Sequence, residues 1–465
     1  MGGPTDRYAE HDRAKRALLS AYEALPPGAP VKLAKKTSNL FRFSSSGKPS
    51  APGLEVNSFS EVLSVDPVTR TADVQGMVTY EKLVDATLAH GLMPFVVPQL
   101  KTITLGGAVA GLGIESTSFR NGLPHESVLE MEIMTGDGRI VTATADNEHA
   151  ELFRAFPNSY GTLGYSLRLK IELEPVQPYV ELRHLKFDEA EACWAAMAEI
   201  CATGEHDGRP VDFIDGTVFG PDEMYLTLAR FTEALPADGT GTVSDYTGMS
   251  VYYKSLRERS VDHLTVHDYI WRWDTDWFWC SRAFGVQNPR IRRLWPQRYR
   301  RSDVYRKIVA FDRRHQLTAR LARLRKQPAQ EAVIQDVEVP VTAGPKFMDF
   351  FHREIGIEPV WLCPLRLRSG QAWPLYPLEP GELYVNVGFW STVDLQPGQA
   401  DGFHNRLIEE AVTAAGGHKS LYSTVHYDQD EFWRLYNGEK YAAVKAAYDG
   451  ERRLPDLYEK CVRMG

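Results

Sequence analysis

Thr104-Leu105-Gly106-Gly107-Ala108-Val109-Ala110-Gly111-Leu112-Gly113-Ile114-Glu115-Ser116 is the densest glycine cluster of the chain. A backbone without side chains lets a planar or pyrophosphate ligand approach closely, and its amides can point at anionic oxygens. No Gly-Lys-Ser/Thr follows, so this is not a Walker A loop. Gly111-Leu112-Gly113 lacks the third small residue that opens a helix in a dinucleotide fingerprint. Spacing alone suits a structural turn as well as a ligand cradle, and residues 102–118 read as a glycine-rich loop.

The surroundings read as alternating helix and strand. An amphipathic helix from Asp6 to Leu25 stops at Pro26-Pro27-Gly28, and a strand at Val31–Leu33 leads into the polar loop Lys35–Asn39. Strands at 62–65 and 71–74 flank Asp66-Pro67, and a helix runs from Tyr80 to His90 before Gly91. A buried strand at Met93–Val97 precedes the glycines. Strands at 129–135 and 139–143 join through Gly136-Asp137-Gly138, and a helix near 148–156 leads to the long alternating strand 166–173. Pro175 and Pro178 mark a boundary. Beyond it come a helix at 188–202, strands at 212–219, 224–230, 358–367 and 382–389, a helix at 402–415 and a helical tail. The fold class is α+β, divided into 1–178, 179–417 with an aromatic and basic insert at 252–326, and a C-terminal helical segment, 418–465, packing back on the first unit.

Of 465 residues 43% are hydrophobic and 25% charged, ordinary for a globular protein, and the net charge of −8 argues against a nucleic-acid binder. Between Arg282 and Lys326, however, fifteen Lys or Arg meet only Asp303 and Asp312. Trp271, Trp273, Trp277, Phe278 and Trp279 lie just before that block. Tryptophans beside cations suit an anionic lipid headgroup layer; an aromatic core under a solvated basic helix, or a site for the phosphates of NADPH, suits them too. The five cysteines have neither zinc nor C-x-x-C spacing, which fits a reducing compartment and no metal. The charged first residues read as no secretory leader, and no stretch reaches the roughly 18–20 apolar residues of a spanning helix. A cytoplasmic protein touching membrane only peripherally is expected.

In order along the chain come the Lys35–Asn39 loop, Val97-Pro98-Gln99, Gly106-Gly107, Gly122 with His125, and Gly161-Thr162-Leu163-Gly164. This succession resembles the PCMH-type FAD-binding domain of the vanillyl-alcohol-oxidase superfamily. Pro98-Gln99-Leu100, Gly111-Leu112-Gly113-Ile114-Glu115-Ser116-Thr117-Ser118, Trp361-Leu362-Cys363-Pro364, Glu382-Leu383-Tyr384-Val385-Asn386-Val387-Gly388 and Glu431-Phe432-Trp433 look like its Δ24-sterol reductase (seladin) branch. The chain is also similar to the bacterial flavoprotein reductases of mid-chain methyl-branched fatty acids such as tuberculostearate. The resemblance implies a two-subdomain FAD domain and an α+β substrate (cap) domain with an antiparallel sheet and helical insert. It places FAD against Lys36, Thr37, Ser38, Asn39, Pro98, Gln99, Thr102, Thr104, Leu105, Gly106, Gly107, Gly111, Gly113, Ile114, Glu115, Ser116, Ser118, Gly122, His125, Gly161, Thr162 and Gly164. With neither His nor Cys in the first loop, the flavin is expected to be non-covalent.

The same resemblance implies NADPH as reductant and a lipid alkene as substrate, either a methylene-branched acyl chain made by a partner methyltransferase or a sterol side chain. Neither alkene is conjugated, so protonation must precede hydride transfer, and an acid is required. Glu115 is the first candidate for it, with Tyr384 and Asn386 weaker ones; the branch carries an acid where Asn386 stands. A structural role competes for each, and for His125. An alcohol or sugar oxidase, or a lipid-presenting subunit of a methyltransferase complex, are the rival readings.

Overall fold

The computed structural model describes residues 4–34, 53–236, 241–315 and 328–463. α1 (Pro4–Glu23) buries Leu18 and Tyr22 and ends ahead of Pro26-Pro27. Asp66 Oδ1 accepts from the Val68 and Thr69 amides (2.8 and 3.2 Å), closing the turn between β1 (Val62–Asp66) and β2 (Thr71–Gln75). Thr79 then caps α2 (Tyr80–Leu88), whose Leu83 and Val84 are fully buried.

The strand expected at 93–97 is only β3 (Leu92–Pro94), because Pro94 and Pro98 cannot donate to a ladder. The glycine cluster is not all loop. Thr104 Oγ1 accepts from the Gly107 amide (3.2 Å) and opens a short helix, α3 (Leu105–Ala110), held down by buried Leu105, Ala108 and Val109. β4 (Val128–Met134), β5 (Ile140–Ala143) and β6 (Tyr165–Pro175) complete an antiparallel sheet in the order β1-β2-β6-β4-β5, with β3 also on β6.

No break follows Pro178. The chain goes straight into β7 (Tyr179–Phe187), an inner strand of a second antiparallel sheet. Its other members are β8 (Phe213–Gly220), β9 (Glu223–Thr232), β10 (Val261–Thr265), β11 (Gln330–Pro340), β12 (Val360–Leu365), β13 (Tyr384–Asp394) and β14 (His418–Lys419), ordered β10-β7-β9-β8-β12-β13-β11-β14. β14 carries this sheet past residue 417. One face packs Ile214, Val218, Val337, Leu362, Val385 and Phe389 under three helices, α4 (Ala190–Thr203), α5 (Gly344–Glu354) and α6 (Phe403–Ala414). The opposite face carries Asp215, Trp361, Asn386, Trp390, Asp336 and Glu338, which is polar and aromatic where a plain core would be aliphatic.

Of the readings open for the insert, its tryptophans take the aromatic core. Trp271, Trp273, Trp277, Phe278 and Trp279 are all at most 6% exposed, and Phe278 packs on Trp273, Trp361 and Trp390 with centroids 4.5–5.4 Å apart. These rings are core, not an interfacial belt, because their edges and faces complement one another. Part of the arginine run is internal too. Arg292 clasps both oxygens of Asp276 (2.8 and 3.1 Å), and Arg300 donates to four backbone carbonyls. After β14, α7 (Gln429–Leu435) and α8 (Gly438–Tyr448) return to the first sheet, where Lys445 Nζ donates to Thr162 O (2.7 Å) and Tyr448 OH meets His149 Nδ1 (2.9 Å).

Candidate active site

Between the two sheets and the C-terminal helices lies a cavity of about 1620 Å³. Ligand sites usually span roughly 300–1,000 Å³, so there is room for a dinucleotide and a second molecule. Of the residues expected against FAD, Pro98, Gln99, Thr102, Thr104, Gly106, Gly107, Gly111, Gly113, Ile114, Gly161 and Gly164 line it. Leu105, Glu115, Ser116, Ser118, Gly122, His125 and Thr162 are not on its wall. Lys36, Thr37, Ser38 and Asn39 lie outside the described residues.

Glycine here serves close approach more than anion binding. The Gly106 amide donates to Gly76 O (2.9 Å), Gly107 to Thr104 Oγ1 and Gly111 to Gly107 O (2.9 Å). A Cβ on Gly106 would sit 2.4 Å from Ser166 Oγ and 2.7 Å from Gly76 O. Charge comes instead from Lys32 and the C-terminal segment, where Lys445, Arg452, Arg453 and Lys460 line the cavity together with Glu439, Asp449, Asp456 and Glu459, and Lys445 pairs with Asp449 (2.7 Å). Bare backbone at Gly106, Gly107, Gly111 and Gly113, with basic side chains on the same cavity, would hold a dinucleotide, which would supply hydride chemistry when bound.

That end is formed by Trp277, Phe278, Trp361, Trp390 and Tyr422. Trp277 (φ 47°) and Phe278 (φ 57°) occupy the left-handed region, as does Tyr160 (φ 50°) on the opposite wall. For bulky residues each such conformation costs about 1–3 kcal/mol and persists where the surroundings over-determine it, as at binding sites. The Phe278 amide donating to Trp273 O (2.8 Å) is one such restraint.

Asp336, which sequence reasoning missed, is the one acid of this aromatic wall among the described residues. It is half-buried and lines the cavity, and Asn386 Nδ2 donates to its Oδ1 (3.3 Å). Tyr422 also hydrogen-bonds its carboxyl, and Trp390 Nε1 donates to Tyr422 OH (3.0 Å). Desolvation pushes Asp336 up to about 7 against these two hydrogen bonds. The available signal was the alternation of Glu331, Val333, Gln335, Val337 and Val339, which makes 330–340 a strand with Asp336 on its other face.

Glu115 sits behind the wall in a clasp between the two units. Arg272 Nη2 donates to Glu115 Oε1 (3.1 Å) and to Asp215 Oδ2 (2.9 Å); Ser116 Oγ (2.6 Å) and Gln99 Nε2 also donate to Glu115. Trp273 and Trp361 Nε1 add to Asp215 Oδ2 at 3.0 and 3.3 Å. Burial raises the Glu115 pKa; Arg272 opposes the rise and Asp215 adds to it. Tyr384 is 2% exposed and its hydroxyl accepts from the Glu379 amide (3.3 Å). It is not among the residues lining the cavity.

Residues 24–144 match a family model described as an FAD binding domain. The chain carries an FAD-binding domain. It is 26% identical over 412 residues to the Δ24-sterol reductase of Homo sapiens, covering 86% of this chain and 76% of that protein. The Arabidopsis thaliana Δ24-sterol reductase gives 26% over 440 residues, 88% and 76% of the two chains. Cytokinin dehydrogenase 7 of Oryza sativa gives 26% over 178 residues, 38% and 33%. The fold is α+β with a PCMH-type FAD domain, and the protein is an FAD-dependent oxidoreductase. Among the described residues no helix is long and apolar enough to cross a membrane.

His125 of the FAD domain is 1% exposed and packs edge-on to Trp373 at 4.5 Å, with no hydrogen-bond partner for either nitrogen among the described residues. Burial alone holds it neutral, down to about 3. Its folded pKa lies below the unfolded one, so its contribution is full above pH 6.5 and is lost as pH falls toward 3. At pH 5 that loss is about 2 kcal/mol. His125→Phe should keep FAD and flatten this part of the acid limb in urea titrations between pH 7 and 5. An unchanged limb would refute the assignment.

Proposed function

We propose that the protein uses FAD, reduced by NADPH, to saturate an unactivated carbon–carbon double bond in a lipid, with a methylene-branched acyl chain of a phospholipid as the substrate. The observation that carries this is the continuity of the cavity from bare glycine backbone to the apolar end built by Trp277, Phe278, Trp361 and Trp390. Reduced FAD supplies hydride. The protein's part is to exclude water, orient the alkene and provide a proton first, because hydride addition to an isolated alkene would leave an unstabilised carbanion. The sterol reductase relatives support reduction of a lipid double bond, and a sterol side chain is the second reading.

A phospholipid substrate has to be met at a surface. Of ten exposed large hydrophobics among the described residues, seven fall between 243 and 311: Val243, Met249, Val261, Ile291, Leu294, Tyr299 and Phe311. Leu294 is 84% exposed, and Arg290, Arg293 and Arg298 are exposed with it. Apolar side chains among cations suit an anionic headgroup layer, and the buried Trp277 connects this segment to the cavity. A methyltransferase partner supplies the methylene group, and FAD is held without a covalent bond.

The test is anaerobic incubation with NADPH and either a methylene-branched phospholipid or a Δ24-sterol, with mass spectrometry for a gain of two hydrogens. Saturation of the acyl chain supports the reading; saturation of the sterol alone moves the substrate to the second reading. Peroxide formed in air from alcohols, with neither lipid reduced, would make the protein an oxidase. Acid precipitation should release all the yellow colour.

A further inference from the structure

The cavity-facing side of the large sheet holds two carboxyls two residues apart, Asp336 and Glu338, in neighbouring positions of β11. Neither contributes to the aliphatic core on the other side. Asp336 stands opposite Gly388 of β13 in register, and a Cβ on Gly388 would lie 2.4 Å from Asp336 Oδ1. The missing side chain opens the space into which the carboxyl folds. Two positions along β13, Asn386 is fully buried, donates to Asp336 and leaves its own Oδ1 without a partner among the described residues. No ion pair to Asp336 occurs among the described residues.

These surroundings decide the protonation state. Glu338 faces Asp336 from its own strand, Asn386 and Trp390 from β13, Trp361 from β12, and Ser420 and Tyr422 from the segment after β14. Only Glu338 and Tyr422 of these titrate. Burial drives the pKa of both well upward, and the neighbouring Asp336 adds to the rise in each. Both are thereby biased toward their neutral forms, and Ser420 Oγ donates to Glu338 Oε1 (3.2 Å). A carboxyl with no cation, in an aromatic wall, keeps its proton near neutrality. Glu115, by contrast, is set behind the wall with Arg272 against it.

We propose that Asp336 is the acid that protonates the substrate alkene, with Asn386 and Tyr422 as the residues that position it; this rests on the function proposed above. The Asp336 O–H bond breaks, and the alkene π pair makes a C–H bond at the less substituted carbon. The tertiary cation left on the substrate is filled by the hydride that reduced flavin supplies, and the Asp336 carboxylate recovers a proton from solvent. The sum is alkene, proton and hydride to alkane. Asn386 thus keeps a part in proton supply, through the carboxyl it holds on the adjacent strand.

The test compares wild type with Asp336→Asn and Asp336→Glu under anaerobic stopped flow. NADPH reduces the bound flavin, and methylene-branched phospholipid or Δ24-sterol is then mixed in. Asp336→Asn should bind FAD and accept electrons from NADPH as wild type does, while flavin reoxidation by the alkene falls roughly 10²–10⁴-fold. Asp336→Glu should recover part of that rate. The wild-type alkene step should slow as pH rises through about 7, where the acid loses its proton. Independently of turnover, infrared spectra of the protein should show a protonated-carboxyl band that disappears over the same pH range and is absent from Asp336→Asn. Undiminished alkene-driven reoxidation in Asp336→Asn, or no such band, overturns the role alone. Wild-type protein that saturates neither lipid removes the functional reading and this role with it.

Discussion

Gly106→Ala should come off the column without flavin. The new methyl would lie 2.4 Å from Ser166 Oγ, 2.7 Å from Gly76 O and 3.1 Å from Gly76 Cα. The hydroxyl could turn away, but the Gly76 backbone cannot, since Gly76 is itself pressed against Ser166 of β6. The start of α3 would have to move toward the cavity, into the space the dinucleotide needs. Overpacking of this kind costs about 1–3 kcal/mol, or up to roughly a hundredfold in FAD affinity if borne by the binding surface. Gly107→Ala is the control. Its methyl meets Thr104 Oγ1 at 2.8 Å and no backbone atom closely, so a rotamer change and a weakened cap should suffice. Absorbance of the purified proteins, and FAD titration of the colourless ones, separate the two. A Gly106→Ala protein with full flavin content would mean that this turn does not border the cofactor.

Arg272→Met should be the most destabilising single change in the clasp between the units. Arg272 is 2% exposed and is the shared partner of Glu115 and Asp215. Its guanidinium lies 4.0 Å from the Tyr269 ring centroid, which adds a cation–π contact. Removing it leaves two carboxylates facing each other with no cation, and breaking a buried pair this way costs about 3–5 kcal/mol. The loss should appear in urea unfolding at pH 7 and shrink in the double variant Arg272→Met/Glu115→Gln, where one charge is gone. Equal losses in the two proteins would show that packing of the long side chain, not charge, carries the effect. Glu115→Gln alone should keep most of the alkene-reducing rate, because the clasp and not the proton supply is what it alters.

How far the sequence reached is clearest at these positions. Thr104, the four glycines from Gly106 to Gly113 and Gly161 were legible because only glycine tolerates such close approach, and because their order along the chain is specific as a set. The alternation in 165–175 and the Asp66-Pro67 turn likewise depend on residues next to one another. The helix inside the glycine cluster was hidden, since glycine carries no helical preference and α3 exists because Leu105 and Val109 are buried from outside. The tryptophans between 271 and 279 stayed open between core and interface for a related reason. Amphipathic rings beside arginines have the same composition in a core as at a membrane.

By itself, the sequence determined the α+β class and the place of the glycine cluster. Each follows from local periodicity or from the density of one residue type. Which carboxyl stands at the aromatic end of the cavity was decided only in three dimensions. The pairing of β11 with β13 brings Asp336 across from Gly388 and within reach of Asn386, while a salt bridge from residue 272 holds Glu115 behind the wall. Those partners lie fifty and more than one hundred and fifty residues away in sequence, and the protonation of a buried acid depends on the charges and solvent around it.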